Sequence, residues 1–212
     1  MIRKIRWWHL VAVLIILVGI CIVVWSAKEQ GAAQQNELLT KTRLAGTGIL
    51  AGDIIRLSGS SADLTSPEYI TLKNHLNQVR QSEPNIRFAY LMGQKNDGTV
   101  FFYADSEDPT SGDYSPPGQV YTEVSADARS VFSNGNAVTV GPVTDRWGTW
   151  VSGYVPVIDP TTGKVVAVFG MDVDASAWYW EIISHGLPSL AAILLILILF
   201  AAFVVFDERS QN

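Results

Sequence analysis

Two long uncharged apolar runs, one near each end of the chain, constrain everything between them. The first extends from Leu10 to Trp25, and the second, LPSLAAILLILILFAAFVVF, from Leu187 to Phe206. About 20 apolar residues of helix cross the hydrocarbon core of a bilayer, so both runs read as membrane spans. Trp7 and Trp8 stand just before the first, where indoles suit the membrane interface. Arg3, Lys4 and Arg6 also fit the basic head of a signal peptide. Against cleavage, the run is long for such a peptide, and VWSA puts bulky Trp25 where a small residue is needed. The expectation is therefore an uncleaved anchor with its basic N-terminus in the cytoplasm. It places residues 1–6 inside, a first span at 7–26, an outer domain at 27–185, a second span at 186–206 and a tail at 207–212 inside. In a prokaryote the outer domain then lies in the periplasm or at the cell surface.

The stretch from Ser26 to His185 holds 11 Lys/Arg against 18 Asp/Glu, a net charge of −7. That balance argues against nucleic acid as a partner, because phosphate binding needs a basic footprint. The one cysteine, Cys21, lies in the first apolar run, so the outer domain has no disulfide. At about 160 residues it is large enough to hold together on a single core.

Within that domain the hydrophobic period changes once. From Lys28 to about Leu57 the chain is Gln-, Ala- and Leu-rich without proline, with Leu50, Ile54 and Leu57 at helical spacing. One long helix is expected, locally weakened by Gly46, Gly48 and Gly52. A second follows SGSSADLTSPEY, capped by Thr65 or Ser66, with Pro67 in its first turn and Tyr69, Leu72, Leu76 and Val79 on one face. After Pro84 the period becomes two. IRFAYLMG and TVFFYAD flank the hairpin signal Asn96-Asp97-Gly98, and WVSGYVPVI and KVVAVFGMDVD flank DPTTG. A short strand at Ala137 to Gly141 brings the total to about five antiparallel strands. Between the second and third lies a polar connector of some thirty residues, a length that is often functional, with a possible helix at Thr122 to Phe132. The class is α+β, one antiparallel sheet with helices on one side.

Three stretches carry a family resemblance: DYSPPGQVY at 113–121, GPVTDRWGTWVSGYVPV at 141–157 and VVAVFGMDVDASAW at 165–178. With the flanking spans they resemble the extracytoplasmic PAS-like sensor domains called Cache or PDC domains. Such domains precede the output domains of prokaryotic histidine kinases, diguanylate cyclases and chemoreceptors. The resemblance implies a five-stranded PAS-like sheet behind a long N-terminal helix, a homodimer through that helix, and a small-molecule ligand of unknown class. It also implies that this chain is the sensor portion of a longer receptor, since only Asp207 to Asn212 follow the second span. Signalling through a separate membrane partner is the alternative.

The residues themselves favour binding over catalysis. His9, His75 and His185 are isolated from one another and from any cysteine, so no zinc spacing is present. No nucleophile elbow or phosphate loop occurs, and the acidic run Asp105, Glu107, Asp108 and Asp113 matches no EF-hand. No cofactor, metal or catalytic residue is expected. Strand alternation puts Trp150, Ser152 and Tyr154 on one face and Val151, Gly153 and Val155 on the other. The glycine-bearing row suits close helix packing, and the Trp/Ser/Tyr row suits a pocket wall. Tyr103 and Asp105 alternate together and would extend that pocket, whereas Tyr90 reads as plain core. Asp172 shares a face with Val166, Val168 and Gly170; it either enters the pocket or caps the next helix, and for Asp174 the cap is the better reading. Arg146, followed directly by Trp147, either grips a ligand carboxylate or pairs with Asp145 or another loop acid. In related Cache domains an Asp at the end of the last strand often holds a ligand's amino group. The amino-acid-binding subfamily also separates its Arg and Trp by two residues, so the adjacent Arg146-Trp147 departs from that pattern. The candidate site is thus Tyr103, Asp105, Arg146, Trp147, Trp150, Ser152, Tyr154 and Asp172. The rival readings are a membrane-anchored dimerisation or assembly module without a ligand, and an extracellular hydrolase that would need a metal on the acidic run.

Overall fold

The computed structural model describes residues 7–210. The expected cytoplasmic segment 1–6, with Arg3, Lys4 and Arg6, and the last two residues of the tail lie outside the described residues. The chain divides into two compact units, one formed by the two ends and one by Gln34–Trp178.

The first unit contains the outer portions of two long helices, α1 (Trp7–Gly46) and α5 (Ala175–Ser210). Both are long and apolar enough to cross a membrane. Their packing has a sequence cause: a Cβ at Gly19 would stand 3.0 Å from Ile193 Cγ2, so the glycine lets the helices approach closely. Trp8 also meets Phe203 edge-on at 5.8 Å. Large apolar side chains such as Leu14, Leu17, Leu194 and Ile198 remain exposed, as suits helices with apolar surroundings.

The second unit is a five-stranded antiparallel sheet in the order β2-β1-β5-β4-β3. The strands are β1 (Ile86–Gln94), β2 (Val100–Asp105), β3 (Val138–Asp145), β4 (Gly148–Ile158) and β5 (Val165–Asp174). With the long N-terminal helix, this is the PAS-like architecture that the resemblance implies. Its turns follow residue chemistry. Gly98 and Gly163 both take positive φ, and Asp97 and Asp159 accept from the backbone two residues on.

One face of the sheet carries the helices. Gly153 is the contact point on β4, because a Cβ there would come within 2.3 Å of Thr42 Oγ1 on α1. The row Val151, Gly153 and Val155 therefore packs against α1, as the alternation requires. The long helix ends earlier than its period suggests. It stops at Gly46, and a short α2 (Ala51–Ile54) follows after a turn. Gly46 sits against Val155, and Gly48 lies beneath the ring of His75, whose Nε2 is 2.8 Å from the Ala45 carbonyl. The glycines thus trade helix continuity for close approach to the sheet and to α3 (Pro67–Ser82). That helix begins as expected: Ser66 Oγ accepts from Tyr69 N, and Tyr69, Leu72, Leu76 and Val79 are buried.

The opposite face is covered too, which corrects the one-sided layout. The connector 106–137 includes α4 (Ala126–Asn134), capped by Ser125 and ended by Gly135 in the left-handed region. Its Ala128 and Val131 join Phe88, Tyr90, Met92, Phe102 and Trp150 in a second core. The strand before the long hairpin is also longer than Ala137 to Gly141, because pairing resumes after Gly141-Pro142 as far as Asp145.

Candidate ligand-binding site

The side chains between the sheet and the connector are placed by β-register. Asp172 on β5 lies opposite Phe88 on β1 and Ser152 on β4. Two residues earlier, Gly170 lies between Tyr90 and Tyr154. A Cβ at Gly170 would fall 2.5 Å from the Tyr90 ring, so only glycine lets that ring lie across β5. Tyr90 Oη then reaches Asp172 Oδ1 at 2.9 Å and stands 3.2 Å from Tyr154 Oη. Ser152 supplies a second hydrogen bond to Asp172. Among the described residues, no cation hydrogen-bonds to them. Burial pushes the Asp172 carboxyl up to about 7 against these hydrogen bonds, and the charge of Asp145 adds to the rise. Burial likewise raises Tyr90, Tyr121 and Tyr154, so each phenol keeps its proton.

Asp145 organises the other end. It closes the two-residue turn between β3 and β4, its Oδ1 accepting from Trp147 N at 2.9 Å and Gly148 N at 3.2 Å. The same oxygen accepts from Trp150 Nε1 at 2.9 Å, and Oδ2 accepts from Tyr121 Oη at 2.9 Å. The indole of Trp150 lies over Gly148, where a Cβ would be 2.5 Å from Trp150 Cζ2.

These groups line a partly open cavity of about 20 Å³, room for little more than one water. Phe88, Tyr90, Phe102, Tyr121 and Trp147 form its apolar wall. Its polar wall is Asp105, Asp113, Asp145, Asp172 and Ser115. A smaller space of about 10 Å³, lined in part by Trp150, Ser152 and Tyr154, shares Tyr121 and Asp145 with the first.

No protein-family model matches the chain, and no curated protein sequence does. Similar solved structures exist. The sensory domain of the Campylobacter jejuni chemoreceptor Tlp3 matches at 14% identity and a TM-score of 0.43, over 76% of this chain and 59% of that one. The E. coli DcuS sensor domain matches at 14% and 0.47, over 72% and 96%. The periplasmic sensory domain of C. jejuni Tlp1 matches at 16% and 0.44, over 71% and 59%. All three are sensory domains of other proteins. The chain spans about three fifths of the length of the two chemoreceptor domains.

The candidate residues separate into three groups. Asp172, Trp147 and Asp105 line the larger cavity, and Trp150, Ser152 and Tyr154 line the smaller one. Tyr103 does not join them. The β1–β2 pairing shifts by one residue between Leu91 and Met92, so Tyr90 faces Asp105 and Met92 faces Phe102. That bulge reverses the alternation and turns Tyr103 to the other face, beside Gly93 and Phe101. Arg146 stays on the rim. Its Nε and Nη2 bind Glu123 Oε1 and Oε2 at 2.8 and 2.6 Å, the loop-acid alternative rather than a ligand. Asp174 caps α5, its Oδ1 accepting from Ser176 N and Ala177 N, which leaves Asp172 to the cavity.

Tyr90 reaches the cavity although it reads as core, and Phe88, Phe102, Asp113, Ser115, Tyr121 and Asp145 were not among the candidates. Asp145 had a signal in Asp-Arg-Trp-Gly, where an Asp two residues before an amide marks an Asx turn. Tyr121 has none, since its position depends on how the connector folds back.

Proposed function

We propose that this chain senses a small molecule outside a membrane and transmits its occupancy through α1 and α5. In this reading residues 7–26 and 186–206 span the bilayer and residues 27–185 lie outside it. The observation that carries it is continuity: Asp172 lines the cavity, β5 ends at Asp174, and α5 begins at Ala175 without a linker. A shift of the Asp172 backbone on binding passes directly into a helix long and apolar enough to span a membrane. Binding biases the helix arrangement only through different affinities for its two states. Asp172, Trp147, Tyr154 and Ser152 remain the proposed ligand contacts, now joined by Tyr90, Tyr121 and Asp145. A homodimer is part of the proposal, on the implication of the resemblance.

The test is a thermal-shift panel on the full chain in detergent, with amino acids, organic acids, amines and nucleobases. A ligand at a hundred times its Kd adds about 2.7 kcal/mol, a rise of several degrees for a domain of this size. No shift from any compound with a folded chain would defeat the ligand reading. Separately, a cysteine at Thr161 in the exposed β4–β5 turn should react with an impermeant maleimide from outside intact cells.

The small cavity favours one second reading, a dimerisation module whose aromatic core holds nothing. Trp150→Ala would then lower stability and alter no ligand response.

A further inference from the structure

We infer that the site also takes up a proton, on Asp172, and that this proton is one of the signals the chain reads from outside. The inference rests on the part of the proposed function in which the state of this cavity passes through β5 into α5. It follows from a count of donors across the three central strands. Tyr90 Oη on β1 has two oxygens in range, Asp172 Oδ1 on β5 at 2.9 Å and Tyr154 Oη on β4 at 3.2 Å, and the geometry makes Tyr90 the donor to both. A phenol carries one proton, so it cannot serve both at once. A proton on Asp172 supplies what is missing: the carboxyl donates to Tyr90 Oη, and Tyr90 donates on to Tyr154.

The strand register builds this chain of hydroxyls. Asp172 is 4% exposed, and the cavity it lines has room for about one water, enough for a proton to arrive from solvent. The bare Cα of Gly170 lets the Tyr90 ring cross β5, which brings its hydroxyl between Asp172 and Tyr154. Release of the proton turns Tyr90 toward β5, and uptake turns it toward β4.

The groups around it leave Asp172 as the one that exchanges. From β1 and β4 it faces the hydroxyls of Tyr90, Ser152 and Tyr154, and burial keeps both phenols protonated. From β3 it faces Asp145, which takes neutral donors and feels Arg146 only through space, that guanidinium being bidentate on Glu123. From the connector comes Tyr121, which donates to Asp145. The two other acids of the cavity are ion-paired, Asp105 with Lys73 and Asp113 with Arg87. Burial, with the charge of Asp145 added, pushes the Asp172 carboxyl up to about 7 against the bonds from Ser152 and Tyr90. Its proton is therefore exchanged near neutrality.

The experiment is a pH titration of the full chain in detergent, followed by NMR at two places. One is the carbon-13 carboxyl of Asp172, assigned by its loss in Asp172→Asn. The other is the δ1 methyl of Ile182, farther along α5, whose carbon is 3.8 Å from where a Cβ of Gly31 would stand. The expected result is a common midpoint near 7 for both signals, and loss of the methyl change in Asp172→Asn. Tyr90→Phe removes a donor to the carboxylate and should raise the midpoint by about one pH unit. A carboxyl that titrates near the ordinary 3.8 would overturn the proton assignment and leave the sensor reading standing. A carboxyl that titrates near 7 while Ile182 stays still would overturn both, because the state of the cavity would stop short of α5. A methyl change that survives Asp172→Asn would belong to another group, such as His185 one turn on, and would overturn the assignment. So would a midpoint unmoved by Tyr90→Phe.

Discussion

Two sets of carboxylates meet at this cavity, and they are balanced in opposite ways. Asp105, Glu107 and Asp113, at the start of the connector, are held by Lys73 and Arg80 from α3 and by Arg87 from β1. Asp145 and Asp172, on β3 and β5, are held by Tyr90, Tyr121, Trp150, Ser152 and backbone amides. The first set is a clasp that fastens the connector to the helix-bearing part of the domain. The second set is held by neutral dipoles, with Arg146 acting on Asp145 only through space. The same residue type is thus ion-paired in one place and held by neutral donors in the other.

Breaking the clasp should have the largest effect. Lys73 and Asp105 have side-chain exposures of only 13% and 5%. Lys73→Met leaves Asp105 buried with backbone donors alone, which costs about 3–5 kcal/mol. Burial already raises the Asp105 carboxyl above its usual range, opposed by the Ser115 amide and by Lys73. Losing Lys73 raises it further, so the deficit should grow with pH. Melts of the variant against wild type at pH 5 and pH 8 check both statements, and equal deficits at the two pH values would refute the second.

Neutralising a member of the dipole-held set should do the reverse. The native Asp172 carboxyl titrates near 7, against an ordinary value of 3.8. Between those values the native state binds more protons than the unfolded one, so this group makes stability fall as pH rises from about 4 to 7. The groups facing it are Tyr90 from β1, Ser152 and Tyr154 from β4, and Asp145 from β3. Asp172→Asn removes that slope and should be more stable than wild type at pH 8 by about 1–3 kcal/mol. At pH 4 the two should melt together; a constant difference at all pH values would show that the carboxyl is not the cause. A smaller loss, about 1–2 kcal/mol, is expected for Tyr121→Phe, which leaves Asp145 Oδ2 without its hydroxyl donor.

The sequence made this contrast only half legible, and the reason is register. Period-two alternation in β4 and β5 correctly separates Val151, Gly153 and Val155 from Trp150, Ser152 and Tyr154, and puts Asp172 in line with Val168 and Gly170. Both strands run straight where those residues sit. In β2 the same rule fails at Tyr103, because a bulge is a pairing event with no residue signature there. The ion pairs were less accessible still. Lys73 and Asp105 are 32 residues apart, and Arg146 and Glu123 are 23 apart across the connector. Nothing in one-dimensional spacing says which acid a loop arginine will find.

Arg146 offers the finest test of the comparison, because its effect should be the smallest. Its guanidinium lies at 5.0 Å over the Trp147 ring and grips Glu123, with side-chain exposures of 42% and 32%. Exposed pairs add little to stability, and salt screens them. The Arg146 hydrogen bonds hold the Glu123 carboxyl down to about 2. That stabilisation is complete above the ordinary value of 4.5 and is lost as pH falls through about 2, so at neutral pH it is fully present but small, both side chains being exposed. Arg146→Gln should raise Glu123 toward the usual carboxylate range in a carbon-13 NMR titration and melt at pH 7 indistinguishably from wild type. If instead Glu123 kept its low value in the variant, the Thr122 hydroxyl rather than Arg146 would be what holds it down. The rim carboxylate would then rest on a neutral hydroxyl, like the set on β3 and β5 and unlike the ion-paired clasp, and the comparison would gain a third member at its edge.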